Sequence, residues 1–272
     1  MNFSKLADLA IQAALDAGAL IEKQLGKPLE VHRKNTGQNL ASQVVTELDL
    51  ACEKIILTHL LPSCKRYDLA LLSEESPDDG SRFEKEYFWC IDPLDGTLPF
   101  IQNRAGFSVS IALVAQDGTP IVGVIYDPVN RNLYHAIKGK GIFKNKKSWV
   151  PKMKNNHLTY VTDKTLESTP SKTLIESTLK DMVREMKLEK IVEKAGGGSV
   201  MNAIYVLENA PACLIKLPKK EEGGGSIWDF AATACIFNEF KQRATSYDGR
   251  PLELNKPRNT FMNAQGIYYS MI

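Results

Sequence analysis

A chain of 272 residues with 43% hydrophobic content is long enough to bury a core as one large domain or two intimate ones. Its formal net charge of +2 supplies no electrostatic drive toward a nucleic-acid polymer or a membrane surface. Five scattered cysteines (Cys52, Cys64, Cys90, Cys213, Cys235) form no C-x-x-C pair. That argues against a disulfide framework or a cysteine zinc site and predicts reduced thiols in a cytoplasmic protein.

The first segment, "MNFSKLADLAIQAALDAGALIEKQLG", lacks the basic start, apolar block and cleavage site of a secretory signal. No run is apolar for long enough to span a bilayer. Leu6, Leu9, Ala10, Ala13, Ala14, Ala17, Leu20 and Ile21 recur at helical spacing. The spacing predicts an amphipathic helix, ended by Gly26 and Pro28. A second helix is expected over residues 46–61, with Leu48, Cys52, Ile55, Ile56 and Leu60 inward and Pro62 as terminator. The texture then changes to short apolar or alternating runs, "LALLSEES", "YFWCID", "FSVSIALVA" and "PIVGVIYDP", which read as strands. Asp117-Gly118 predicts a hairpin joining residues 107–115 to 121–126. "NLYHAIKGKGIFKN" reads as a second hairpin.

The densest basic run, "IKGKGIFKNKK" at residues 137–147, carries glycines and reads as a solvated turn. Beyond the polar, basic stretch "KNKKSWVPKMKNN", a helix is expected over residues 171–188. "SVMNAIYVLEN" reads as a helix after an "AGGG" turn, and "PACLIKL" as a strand. "SIWDFAATACIFNEF" reads as a helix with Ser226 or Asp229 near its start. Helices, then antiparallel strands, then mixed elements argue for a layered α+β sandwich in two halves, 1–154 and 155–272.

The most informative stretch is "YFWCIDPLDGTLPF", residues 87–100. A strand is expected to end near Ile91, leaving Asp92 and Asp95 at its exit in a tight turn made by Pro93 and Gly96. Thr97 is then the expected N-cap of a short helix, with Pro99 in its first turn. Free backbone N–H groups at such a helix start attract phosphate, whereas carboxylates repel it. Both serve one ligand only with cations between them, and hard divalent ions such as Mg²⁺ bridge carboxylates to phosphate. Taken alone, D-P-L-D-G reads better as a turn whose aspartates bond their own backbone. Taken alone, Glu74-Glu75 in "LLSEES" reads better as a solvated acidic loop, and Trp228-Asp229 as a helix cap beside a packed indole. The combination of all three favours a metal cluster.

That combination resembles the inositol monophosphatase superfamily of Mg²⁺-dependent, lithium-sensitive phosphatases. The family pattern is a Glu-Glu pair, then W-x-[IV]-D-P-[IL]-D-G-T-x-x-F, then W-D-x-A-A. It is met here by Glu74-Glu75, residues 89–100 and residues 228–232, across nearly the whole chain. "FSVSIAL", "PIVGVIYDPV" and "GRPLELN" look most like the CysQ branch of 3'(2'),5'-bisphosphate nucleotidases.

The resemblance implies an α+β fold, the layered α/β/α/β/α sandwich of the inositol monophosphatase / fructose-1,6-bisphosphatase type. It implies Mg²⁺, two or three ions, and a small phosphorylated substrate, either 3'(2')-phosphoadenosine 5'-phosphate or an inositol or other sugar phosphate. It also implies a homodimer. Residues 1–154 would carry the metal motifs, and residues 155–272 the substrate contacts and the last aspartate. Glu74, Asp92 and the Leu94 carbonyl would hold one ion. Asp92, Asp95 and Asp229 would hold a second, with Asp92 bridging. Thr97 and Glu74 would orient and deprotonate the attacking water, which makes Glu74, Thr97 and Asp92 the catalytic set. The Gly96 and Thr97 amides would bind the phosphate, with Asp229 beside it.

The turn before "SVMN" makes Gly198 and Ser199, the expected N-cap, candidates for a sugar hydroxyl or second phosphate, though it would serve equally to turn the chain. Asp163 is a further candidate. Gln43 stands where the family commonly has an aspartate, while Asp49 is kept. Leu98-Pro99, residues 161–165 and residues 238–240 also depart from the nucleotidase pattern. The four histidines lie outside all these motifs.

Overall fold

The computed structural model describes residues 1–27, 31–33, 44–163 and 171–272. In chain order the first half holds α1 (Phe3–Gln24), β1 (Val31–Arg33), β2 (Val44–Thr46), α2 (Glu47–Tyr67), β3 (Ala70–Ser73), β4 (Tyr87–Asp95) and α3 (Thr97–Ile101). There follow β5 (Ser108–Ala115), β6 (Pro120–Asp127), β7 (Asn132–Ile137), β8 (Gly141–Lys144) and β9 (Lys147–Ser148). The second half holds β10 (Leu158–Thr162), α4 (Lys172–Glu185), β11 (Ile191–Ala195), α5 (Ser199–Glu208), β12 (Ala212–Lys216), α6 (Ile227–Glu239), β13 (Arg243–Thr245) and β14 (Ile267–Met271).

The strands form a seven-stranded sheet in the order β3-β4-β5-β6-β7-β8-β9 and a five-stranded sheet in the order β11-β10-β12-β14-β13, beside the β1-β2 pair. Both expected hairpins are present, β5 with β6 and β7 with β8. The larger sheet is antiparallel except where β3 runs parallel to β4.

Alternation along the strands builds the layers. On β4, Trp89 and Ile91 face one way, into a core with Leu6, Ala10, Ala14 and Ile21 of α1 and Leu48, Cys52, Ile56 and Leu60 of α2. Phe88 and Cys90 face the other way, against Val200, Ile204 and Leu207 of α5 and Ala231, Cys235 and Phe237 of α6. Those helices bury their far sides on Leu214 of β12 and Tyr269 of β14. The outer face of the smaller sheet is covered by Ile175, Leu179 and Met182 of α4. The result is the expected α/β/α/β/α sandwich. Its middle helices share one core with residues from both halves of the chain.

Pro62 does not end α2, which continues to Tyr67. The ring removes one backbone donor. The following turn is held instead by Ser63, whose hydroxyl donates to the Leu60 carbonyl at 2.6 Å and accepts from the Trp89 indole N–H at 2.9 Å. Among the described residues no helix is long and apolar enough to cross a membrane. All five cysteines are free thiols.

Arg82 is 1% exposed and ties the halves together. It donates to Asp78 at 2.8 Å, to the Asn255 side chain and to the Lys256 carbonyl. Arg82→Ala removes these bonds and empties the buried space that the guanidinium fills, while its part-exposed acceptors can turn to water, so a loss of about 1–3 kcal/mol is expected in urea unfolding. Asp78→Asn, which keeps an acceptor, should lose less. Equal midpoints for wild type and Arg82→Ala would show that the tie contributes nothing.

Candidate active site

The parallel pairing of β3 and β4 sets Ser73 beside Ile91. The chain therefore leaves the two strands side by side, at Glu74 and Asp92. The Glu74 N–H donates to the Ile91 carbonyl at 3.1 Å, which fixes the exit. The expected strand end near Ile91 is moved: β4 runs on to Asp95, with an irregularity in its pairing to β5 between Asp92 and Asp95. Pro93 has no N–H to give the ladder, and the Leu94 N–H turns to Asp92 Oδ1 at 3.1 Å. The bulge brings both aspartates to one place.

There they meet Asp229 in the first turn of α6. One carboxylate oxygen from each of Asp92, Asp95 and Asp229 lies within 4.8 Å of the others. Asp92 and Asp95 are buried and Asp229 is half-buried. Burial holds the Asp92 carboxyl well above the usual carboxylate range, reinforced by the charges of Glu74, Asp95, Asp229 and Asp49. Burial does the same to Asp95, followed by the charge of Asp229. Asp229 is also raised by burial, against the opposing Ser226 N–H and the Lys216 ammonium. A buried all-oxygen donor set that repels itself suits a hard divalent cation.

Two of the three carboxylates are aimed by helix starts. Asp95 receives the backbone N–H of Ser199 at 3.0 Å on Oδ1 and that of Val200 at 3.0 Å on Oδ2. The positive end of α5 is thus spent on a carboxylate. Asp229 forms a capping box with Ser226, whose N–H reaches Asp229 Oδ2 at 2.6 Å.

Two expected caps are displaced by one residue. Gly96, at φ +83°, occupies the cap of α3, and Thr97 is its first helical residue. The Thr97 hydroxyl lies 3.1 Å from Asp49 Oδ1 and 3.2 Å from the Leu94 carbonyl, so its proton serves the site rather than the helix. Gly198, not Ser199, caps α5. The three glycines do more than turn the chain. A Cβ on Gly198 would stand 2.4 Å from Asp95 Oδ2, and one on Gly106 would stand 2.7 Å from Gly197 Cα. Bare backbone is what lets α5 reach Asp95.

Beside the cluster, Lys216 at the end of β12 is 16% exposed. Its ammonium contacts Asp163 Oδ2 at 2.8 Å, Ser199 Oγ at 3.0 Å and the Gly224 carbonyl at 3.1 Å. Asn202, on α5, donates to Asp163 Oδ1 at 2.9 Å and to the Gly197 carbonyl at 3.0 Å. The structure therefore gathers the sequence candidates Asp92, Leu94, Asp95, Gly96, Thr97, Asp163, Gly198, Ser199 and Asp229, with Glu74 at the strand exit next to Asp92. Gln43 lies outside the described residues, as do residues 164 and 165. Sequence reasoning passed over Lys216, hidden in an apolar strand run, and Asn202. The signal for Lys216 was a lone charge at a strand's carboxyl end, where ligands bind in such sheets.

Fold and cluster together define a two-sheet α+β protein with a buried, cation-ready acidic site. The chain belongs to the inositol monophosphatase family, whose model matches residues 2–270. An inositol-1-monophosphatase of Synechocystis is 31% identical over 262 residues, 92% of this chain and 82% of the relative. The 3'(2'),5'-bisphosphate nucleotidase CysQ of Salmonella typhimurium is 30% identical over 257 residues, 93% of this chain and 94% of the relative. The crystal structure of CysQ from Bacteroides thetaiotaomicron superposes with a TM-score of 0.75 at 25% identity, covering 99% of this chain and 98% of that one. An inositol monophosphatase from Anabaena, at 24% identity and a TM-score of 0.69, shares the fold over 99% of this chain and 92% of its own.

The raised carboxyls give a signed prediction. In the cation-free folded protein they hold protons at a pH where the unfolded chain has lost them. The penalty for ionising them is absent below the ordinary range near about 4 and grows as pH rises toward their folded pKa values. A bound cation removes that penalty. Adding MgCl₂ should therefore raise the calorimetric Tm more at pH 8 than at pH 5.5, with protons released on binding at pH 5.5. Equal shifts at both values, with no proton release, would place the cation elsewhere.

Proposed function

We propose that this protein is a Mg²⁺-dependent, lithium-sensitive phosphomonoester hydrolase. We further propose that its substrate is 3'(2')-phosphoadenosine 5'-phosphate, released as AMP and phosphate. The observation that carries the hydrolase reading is the trio Asp92, Asp95 and Asp229, buried within one ion's reach. Glu74 and the Leu94 carbonyl complete the proposed donors. Bound Mg²⁺ would supply positive charge for the phosphate oxygens and make a water acidic enough to attack.

The chain's own residues perform the rest. The Thr97 hydroxyl donates a hydrogen bond to Asp49 and accepts one from the attacking water, which orients it. Glu74 is the second acceptor and takes the water's proton. The Gly96 and Thr97 amides lie at the start of α3, where a helix makes no internal use of its N–H groups, and are assigned to the phosphate. No histidine or cysteine nucleophile is required. Cys90, within the same strand, is fully buried, and burial pushes its thiol well up.

The nucleotide substrate is supported by Lys216, a cation on the substrate side of the cluster suited to a second phosphate, and by the likeness to CysQ over the whole chain. A second reading, an inositol or other sugar monophosphatase, is favoured by inositol-1-monophosphatases matching equally well. Initial rates on adenosine bisphosphate, inositol monophosphate and fructose bisphosphate, with and without Li⁺, separate the two. Lys216→Met should raise KM about 10-fold or more for the bisphosphate and little for adenosine 2'-monophosphate. Equal effects on both would assign Lys216 to the cluster instead.

Thr97 gives the sharpest mechanistic test. Thr97→Ser keeps the hydroxyl and should be mild. Thr97→Ala should lower kcat by about 10²–10⁴ while Mg²⁺ affinity holds. Because the hydroxyl caps nothing, stability should fall only by about 1 kcal/mol, the worth of one hydrogen bond. Turnover unchanged in Thr97→Ala would remove the residue from the reaction.

A further inference from the structure

Residues 138–140 and 145–146 are exposed turns, as expected for the run 137–147. The stretch that follows packs on the second half, where the Lys154 N–H donates to the Ala210 carbonyl at 2.9 Å, and it borders an open cavity of about 620 Å³. Lys144, Lys152 and Lys154 come from the basic stretch, and Lys194 from β11, so four lysines line one space. Glu208, at the end of α5, is the single lining carboxylate. It is already engaged, accepting from Lys144 Nζ at 2.5 Å and from the Tyr134 hydroxyl at 2.6 Å. None of the acidic cluster lines this cavity.

Two aromatic rings give the space walls. Trp149 packs on Tyr134 with centroids 5.4 Å apart, and Lys144 lies over both rings. Tyr205 lies under Lys194, whose ammonium is 4.2 Å from the ring centroid. These contacts hold Lys144 and Lys194 in place ahead of any ligand. Lys152 and Lys154 are exposed and reach the mouth. Among the described residues, three of the four lysines thus face no lining carboxylate, so the cavity carries a local excess of positive charge. A net charge of only +2 for the whole chain makes so local an excess the more specific.

We propose that this cavity is a second binding site, separate from the acidic cluster, for a small ligand carrying two or more phosphate groups. Its volume lies in the range of small-molecule sites, and its ammonium groups suit phosphate as point charges. The inference does not depend on which phosphomonoester the acidic cluster hydrolyses.

The test uses pyrophosphate and the full chain stripped of metal on a chelating resin. Without cations the acidic cluster repels pyrophosphate, and repeating the titration in Lys216→Met removes any binding at that lysine, so what remains reports the lysine cavity. Calorimetric titration in 0.15 M salt, on the order of physiological ionic strength, should give saturable binding at one site per chain. The charge reversal Lys152→Glu with Lys194→Glu should weaken binding at least about tenfold, since each lost charged contact alone is worth about that factor. Hydrolysis by the Mg²⁺-loaded double variant should stay at the wild-type rate. If that variant fails to fold, Lys152→Gln with Lys194→Gln should show the same direction. Non-saturable heats in wild type, or wild-type affinity in a folded variant, would overturn the site.

Discussion

Like charge brought together away from water is the constraint on which the rest of this structure depends. Asp92, Asp95 and Asp229 repel one another within 4.8 Å. Asp95 and Asp229 are tolerated because something nearby is arranged to offset them, whereas every charge around Asp92 pushes the same way. Two N–H groups of α5 meet Asp95, the capping box of α6 meets Asp229, and Lys216 lowers both. The offset is incomplete, since all three carboxyls still sit above their ordinary range. That residue of unfavourable energy is what a bound cation would relieve.

Strand direction explains why one place collects all of this. Parallel strands point their carboxyl ends the same way, and each sheet contains such a group. β3 and β4 deliver Glu74 and Asp92. β10 and β12 deliver Asp163 and Lys216. The helices that follow in the second half, α5 and α6, begin at the same level, so positive helix ends face the carboxylates from the other side. Of the antiparallel strands, β5 pairs with the bulge, Ser110 beside Asp92 and Ser108 beside Asp95, and β6 to β9 extend the wall against which the inner helices pack.

Much of this was legible in the sequence because the signals are local. The period of α1, the Asp117-Gly118 hairpin and the run around Asp92 each depend on neighbouring residues. The failures are equally instructive. Pro62 reads as a helix end from its own chemistry, yet Ser63 and Trp89, 26 residues away, keep the turn. Thr97 and Ser199 read as caps, but Gly96 and Gly198 take that place. The Thr97 hydroxyl goes to Asp49, 48 residues away. The start of α5 reads equally as a ligand contact or a plain turn, and its amides go to Asp95 from another sheet. In every case a partner distant in sequence outbid the local one.

The glycines at 106, 197 and 198 touch across two loops with backbone against backbone and backbone against carboxylate. A contact between side chains can drift, one partner shrinking as the other grows. Between Gly106 and Gly197 there is no side chain to trade. A methyl group on Gly106 cannot be absorbed by a change on the opposite loop, because it meets the Gly197 backbone, where nothing is left to remove. The two loops therefore form a unit of inheritance that varies only by moving whole, although more than ninety residues separate them along the chain. A descendant that reshaped its substrate side would be free to alter residues 163, 202 or 216 long before it could alter that seam.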